Sequence, residues 1–124
     1  MLKAATPPPP RNKILAALPG KEYQRLLPHL TPVSLFSGET LYKMEDRIKY
    51  VCFVNGAVVS LVTHMEEGAS VEVGLVGNEG MVGLSTVMGD DVSQNHAVVQ
   101  IPDGAVRMET RKLRDELMCN MGQG

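Results

Sequence analysis

The spacing of hydrophobic positions changes character once along this chain, near residue 31. Before that point apolar residues recur at helical spacing. Asn12 is a good helix cap, so a short helix is expected over Lys13 to Leu18, stopped by Pro19-Gly20. A second helix follows over Lys21 to Leu27, where Tyr23, Leu26, Leu27 and Leu30 share one face while Lys21, Glu22 and Arg25 face water. Pro28 and Pro32 bound its exit.

From Thr31 the pattern is strand-like. Strands are expected at Val33 to Phe36, Thr40 to Tyr42, Tyr50 to Asn55, Ala57 to Met65, Ser70 to Val76, Asn95 to Ile101 and Ala105 to Met108. Ser37-Gly38-Glu39 turns the first into the second, and Lys43 to Lys49 is a charged connection. Asn55-Gly56 suits a tight hairpin, Glu66 to Ala69 a turn, Gly89-Asp90-Asp91 a loop and Pro102-Asp103-Gly104 a turn. Leu84 to Met88 fits one or two helical turns. Thr110 caps a closing helix to about Cys119, with Leu113, Leu117 and Met118 on one face. Many short strands with tight turns indicate a mainly β protein: an antiparallel double-stranded β-helix, or jelly roll, with two short N-terminal helices and a C-terminal helix.

Composition adjusts this picture little. The 124 residues are 44% hydrophobic and 21% charged, enough for one core. Pro7 to Pro10 favours extended backbone, so residues 1–11 read as a disordered proline-rich leader, 12–119 as the domain and 120–124 as a disordered tail. Cys52 and Cys119 are the only cysteines, which suits a reducing, cytoplasmic setting. No stretch reaches the length and apolarity of a membrane span, and no membrane partner is expected.

Charge placement says more than net charge, which is −2. From Val51 to Val106 there is no Lys or Arg, whereas Glu66, Glu67, Glu72, Glu79, Asp90, Asp91 and Asp103 all lie there. Nucleic acids are held largely by cations on phosphates, so this central surface should repel them.

The phrases Ser37-Gly38-Glu39-Thr40-Leu41-Tyr42, Tyr50-Val51-Cys52-Phe53, Gly56 to Val62 and Val71 to Gly83 resemble the sensor domains of the Crp/Fnr family of transcription regulators. The resemblance spans about residues 12 to 117. It implies a cyclic-nucleotide-binding-like β-roll that receives an effector, acting as a homodimer in a full-length regulator. DNA would be contacted only through a winged helix that this chain lacks.

In nucleotide-binding members, a Gly-Glu pair precedes a short helix, and a strand Arg about ten residues later pairs with the cyclic phosphate. Gly83 matches the glycine, but Leu84 stands at the Glu position and Gln94 or Asn95 at the Arg position. An anion buried without a counter-charge is costly, so neither cAMP nor cGMP is expected to bind in the usual way, and no other cofactor is implied. If the cassette geometry persists, Gly83, Leu84, Ser85, Asn95 and His96 line the pocket.

Other chemistry finds less support. Gly74, Gly77, Gly80 and Gly83 match neither a dinucleotide fingerprint nor a P-loop and read as turn glycines. A cupin enzyme would need clustered His around a metal, yet His29, His64 and His96 include no His-x-His pair. Ser85-Thr86 and Ser93 lie in no recognisable triad, and Cys52 reads as packing. No catalytic or metal residues are assigned, and the chain is read as a non-enzyme. The alternatives are a structural or dimerisation domain without ligand and, last, a metal-dependent cupin-type enzyme.

Overall fold

The computed structural model describes residues 11–87, 89 and 92–123, with side chains of the last helix described as far as Met118. Residues 1–10 of the expected 1–11 leader, Met88 of the expected helical segment, Asp90-Asp91 of the expected loop and Gly124 of the expected tail lie outside the described residues. The order is α1 (Lys13–Ala17), α2 (Gly20–Leu26), a 3₁₀ turn (Leu27–His29), β1 (Thr31–Leu35), β2 (Thr40–Tyr42), β3 (Tyr50–Asn55), β4 (Val58–His64), β5 (Ser70–Val76), β6 (Met81–Val82), α3 (Leu84–Val87), β7 (His96–Ile101), β8 (Asp103–Glu109) and α4 (Thr110–Gln123).

Two four-stranded antiparallel sheets face each other, ordered β1-β8-β3-β6 and β2-β7-β4-β5. This is the expected mainly β roll. The sheets enclose a core of Leu35, Cys52, Val54, Ala57, Val59, Val82, Ala97, Val99 and Ala105. The other face of the first sheet carries Val51, Phe53 and Met108, and the helices cover it with Leu15, Leu26 and Leu113. Val51 to Val54 therefore reads as an unbroken apolar run because the middle of β3 is buried on both faces.

Asn12 holds the helices to the roll. Its Oδ1 accepts from the amides of Ile14 and Leu15, at 3.0 and 3.3 Å. Its Nδ2 donates to the Val54 and Gly80 carbonyls, at 2.9 and 2.8 Å. A cap legible in the sequence thus has a second role, since the same side chain satisfies buried carbonyls of the barrel.

Several local expectations need correction. Asn55-Gly56 does not close a hairpin, because β3 and β4 belong to different sheets. Gly56, at φ +91°, turns the chain across the roll. Pro102-Asp103-Gly104 is not a turn between paired strands either. Asp103 and Gly104 already belong to β8, paired with Leu35 and Ser34 of β1. Phe36 lies beyond β1 and is exposed. Thr110 is the first residue of α4, and its hydroxyl donates to the Ile48 carbonyl at 3.1 Å, tying the helix to the 43–49 connection. On α4 only Leu113 of the expected apolar face is buried, while Leu117 and Met118 are exposed. The helix continues past Cys119, through Gln123.

Candidate functional site

The five residues expected around a pocket are placed in two groups. Gly83, Leu84 and Ser85 lie where β6 passes into α3. At φ +101°, Gly83 sits so close to the Val51 and Ile48 side chains and the Tyr50 carbonyl that a Cβ would come within 3.2–3.4 Å of all three. Glycine is needed there for both conformation and space.

Asn95 and His96 sit at the start of β7, in the other sheet. Asn95 Nδ2 donates to Thr63 Oγ1 at 2.9 Å, and His96 Nδ1 accepts from the Met44 amide at 3.3 Å. The His96 ring also meets His64 edge to face, with centroids 4.2 Å apart, and His64 Nδ1 is 2.7 Å from Ser70 Oγ. Adjacent strands make this histidine pair, which linear spacing does not show. Among the described residues, no three His, Cys, Asp or Glu side chains come close enough to hold a metal.

Three cavities lie around these elements. An apolar one of about 180 Å³ separates α1 and α2 from α3 and α4. Leu84 lines it with Ile14, Leu18, Met81, Val87 and Leu113, and Glu22, Arg25 and Glu116 also border it. Arg25 Nε is 3.5 Å from Glu116 Oε1, joining α2 to α4.

A second cavity, of about 240 Å³, opens at the end of the roll and reaches Tyr42, Cys52 and Val82, with Arg47, Lys49 and Arg107 around it. The guanidinium of Arg107 lies 4.3 Å from the Tyr50 ring centroid, a cation–π distance. Burial pushes the Cys52 thiol up to about 11; Arg107 opposes this and Glu39 adds to it. The Tyr42 phenol is also raised, first by burial and then by Cys52, against a hydrogen bond with Ser93. Cys52 is therefore a protonated packing residue at neutral pH.

The third and largest cavity, about 470 Å³, lies between the 43–49 connection, α3 and the first turn of α4. Arg47, Lys49, Arg111 and Arg114 line it, with one carboxylate, Glu109. These cations flank the uncharged-or-acidic block of the sequence. Antiparallel pairing of Tyr50 with Glu109, followed by the Thr110 amide donating to the Lys49 carbonyl at 2.8 Å, folds the two flanks together. Sequence reasoning counted these residues but had no means of placing them side by side.

No protein-family model matches the sequence, and no curated protein matches it. Solved structures do. A putative cAMP-binding regulatory protein from Silicibacter pomeroyi DSS-3 superposes with a TM-score of 0.76 at 19% identity, over 89% of this chain and 50% of that one. The N-terminal domain of a transcriptional regulator from Streptomyces coelicolor A3(2) gives 0.73 at 18%, over 88% and 77%. The sensor domain of the transcriptional regulator DNR from Pseudomonas aeruginosa gives 0.73 at 14%, over 85% and 71%. The chain spans half of the first of these proteins and about three-quarters of the two isolated domains. Among the described residues, no helix is long and apolar enough to cross a membrane. In architecture the chain has the cyclic-nucleotide-binding-domain fold, the one found in the sensor halves of Crp/Fnr-type transcription regulators.

Proposed function

We propose that this chain is the effector-sensing domain of a Crp/Fnr-type transcription regulator, in which occupancy beside the roll biases α4. The observation that carries this reading is the apolar cavity, because its walls are α1 and α2 on one side and α3 with Leu113 and Leu117 of α4 on the other. A ligand entering there has to move or fix α4 relative to α1 and α2. A two-state helix biased by differential contacts is what a signal needs to travel. In this reading the effector is an uncharged or largely apolar small molecule. Paired copies pass the bias through α4 to a separate DNA-binding domain, and the domain itself catalyses nothing. A reducing cytoplasmic setting goes with this role.

The usual cyclic-nucleotide mode is disfavoured by the chemistry at two positions. Leu84 offers no acceptor for a ribose hydroxyl, and Asn95 is committed to Thr63. In thermal denaturation, sub-millimolar cAMP or cGMP should leave the midpoint unmoved, and a rise of several degrees would overturn that part of the reading.

The coupling is tested by filling the cavity from within. Leu84→Trp places an indole where a ligand would sit, at a side chain that is half exposed in the native fold. Amide hydrogen exchange over the first turns of α4 should change by about tenfold, while β3 and β8 keep their protection. Unchanged exchange in α4 would refute the proposed transmission.

A further inference from the structure

We infer a second, anion-binding site in the 470 Å³ cavity beside the start of α4, suited to a small phosphorylated molecule carrying several negative charges. Arg47 and Lys49 reach it from the 43–49 connection, and Arg111 and Arg114 from α4, against the single carboxylate of Glu109. Among the described residues the ion pairs are Arg11–Asp103 and Arg25–Glu116, so none of these four cations is neutralised by one. Cations crowded around a concave surface repel one another and lower the energy of any anion that enters.

A second observation is independent of charge. Thr86 is only 6% exposed and lines the same cavity, yet its Oγ1 has no hydrogen-bond partner. Arg114 donates through one terminal nitrogen to the Thr86 carbonyl, which fixes its guanidinium, while its Nε also lacks a partner. Leaving a buried polar group unpaired costs roughly 1–3 kcal/mol, and a small turn of these two side chains toward the cavity would let an occupant supply the missing acceptors. Phosphate oxygens suit this set, since arginine forks and a hydroxyl can share one phosphoryl group. A small ligand fits better than a nucleic acid. The cations line a concavity rather than a stripe, and the 51–106 block beyond them carries no Lys or Arg.

Inorganic triphosphate, titrated calorimetrically into the full chain at low salt, is the probe. Binding should be one to one. The exposed pair Lys49→Gln/Arg111→Gln should weaken it at least tenfold, about the loss expected for one charge-assisted hydrogen bond. Thr86→Val should weaken it about threefold, and Lys13→Gln/Lys21→Gln, on α1 and α2, should leave it unchanged. Absence of binding, or equal weakening by both lysine-containing pairs, would overturn the site. Tighter binding of a DNA or RNA oligonucleotide than of triphosphate, lost in the Lys49/Arg111 variant, would overturn the small-ligand assignment. Because the Leu84 variant reports on the apolar cavity and triphosphate on the basic one, failure of either test leaves the other standing.

Discussion

The two flanks of α4 are built from opposite materials. Toward α1 and α2, Leu113 is buried against Leu15, Leu26 and Phe53, and the neighbouring void is lined mainly by side chains of that kind. Toward the 43–49 connection, Arg111 and Arg114 face Arg47 and Lys49 across a wider, polar space. One flank contributes to holding the domain together, and the other holds like charges close without an ion pair among the described residues. A helix placed between them can be moved from either side, by an apolar ligand wedging one flank or an anion drawing in the other. Substitutions on the first flank should therefore act on stability as well as on an apolar ligand, and those on the second on an anion alone.

The largest effect is expected at Asn12, because that side chain fastens the outer wall of the apolar flank. Asn12→Ala removes a cap and two donors to buried carbonyls. Urea denaturation should show a loss of about 4 kcal/mol, several buried hydrogen bonds at once. A loss under 1 kcal/mol would mean that α1 is dispensable and the apolar cavity is an open surface.

Leu113→Ala comes next. Its side chain is 6% exposed, and truncation should cost about 3 kcal/mol while enlarging the cavity beside it. An apolar probe such as benzene, added to the variant, should recover part of that loss if the enlarged space stays dry. No recovery would show that α4 collapses onto the sheet, which removes the proposed two-state element.

Between the flanks, the mouth of the roll makes a prediction in pH. Cys52 has its thiol raised to about 11 in the fold, from an ordinary value of 9.0. The folded state therefore keeps a proton that the unfolded chain releases, and stability is full below pH 9 and declines as pH rises through 11. The shift corresponds to roughly 2–3 kcal/mol. In a Cys119→Ser background, the decline should flatten when Cys52 is replaced by Val. A residual slope above pH 10 would belong to Tyr42, which is shifted the same way.

The contrast between the flanks also explains what was legible in the sequence. Helix and strand periods are local, so α1, α2, β3 and β5 fall where the pattern puts them. The apolar flank is legible for the same reason, since Leu26 and Leu113 each lie on an apolar helix face. Which sheet a strand joins is not local. Asn55-Gly56 permits the same backbone in a hairpin as in a crossing between sheets, and only the partner strands decide. The basic flank depends on that decision. Lys49 and Arg111 are brought together by the register of β3 on β8, and a linear scan sees only a long interval without cations. The five expected pocket residues likewise come from the β6–α3 junction and from the start of β7, a placement across two sheets that linear spacing does not show.

The smallest effect on stability is expected on the basic flank, and it is the most discriminating. Both Lys49 and Arg111 are exposed, and neither belongs to an ion pair among the described residues. Replacing both with Gln removes repulsion without opening a cavity. The urea midpoint at low salt should therefore stay within about 0.5 kcal/mol of the parent or rise slightly. Added salt should stabilise the parent more than the variant, because screening relieves charges that the variant no longer has. A loss of 2 kcal/mol would mean that these side chains bear structure through contacts other than charge. The two flanks of α4 would then be one continuous core rather than a packed side and an anion-facing side.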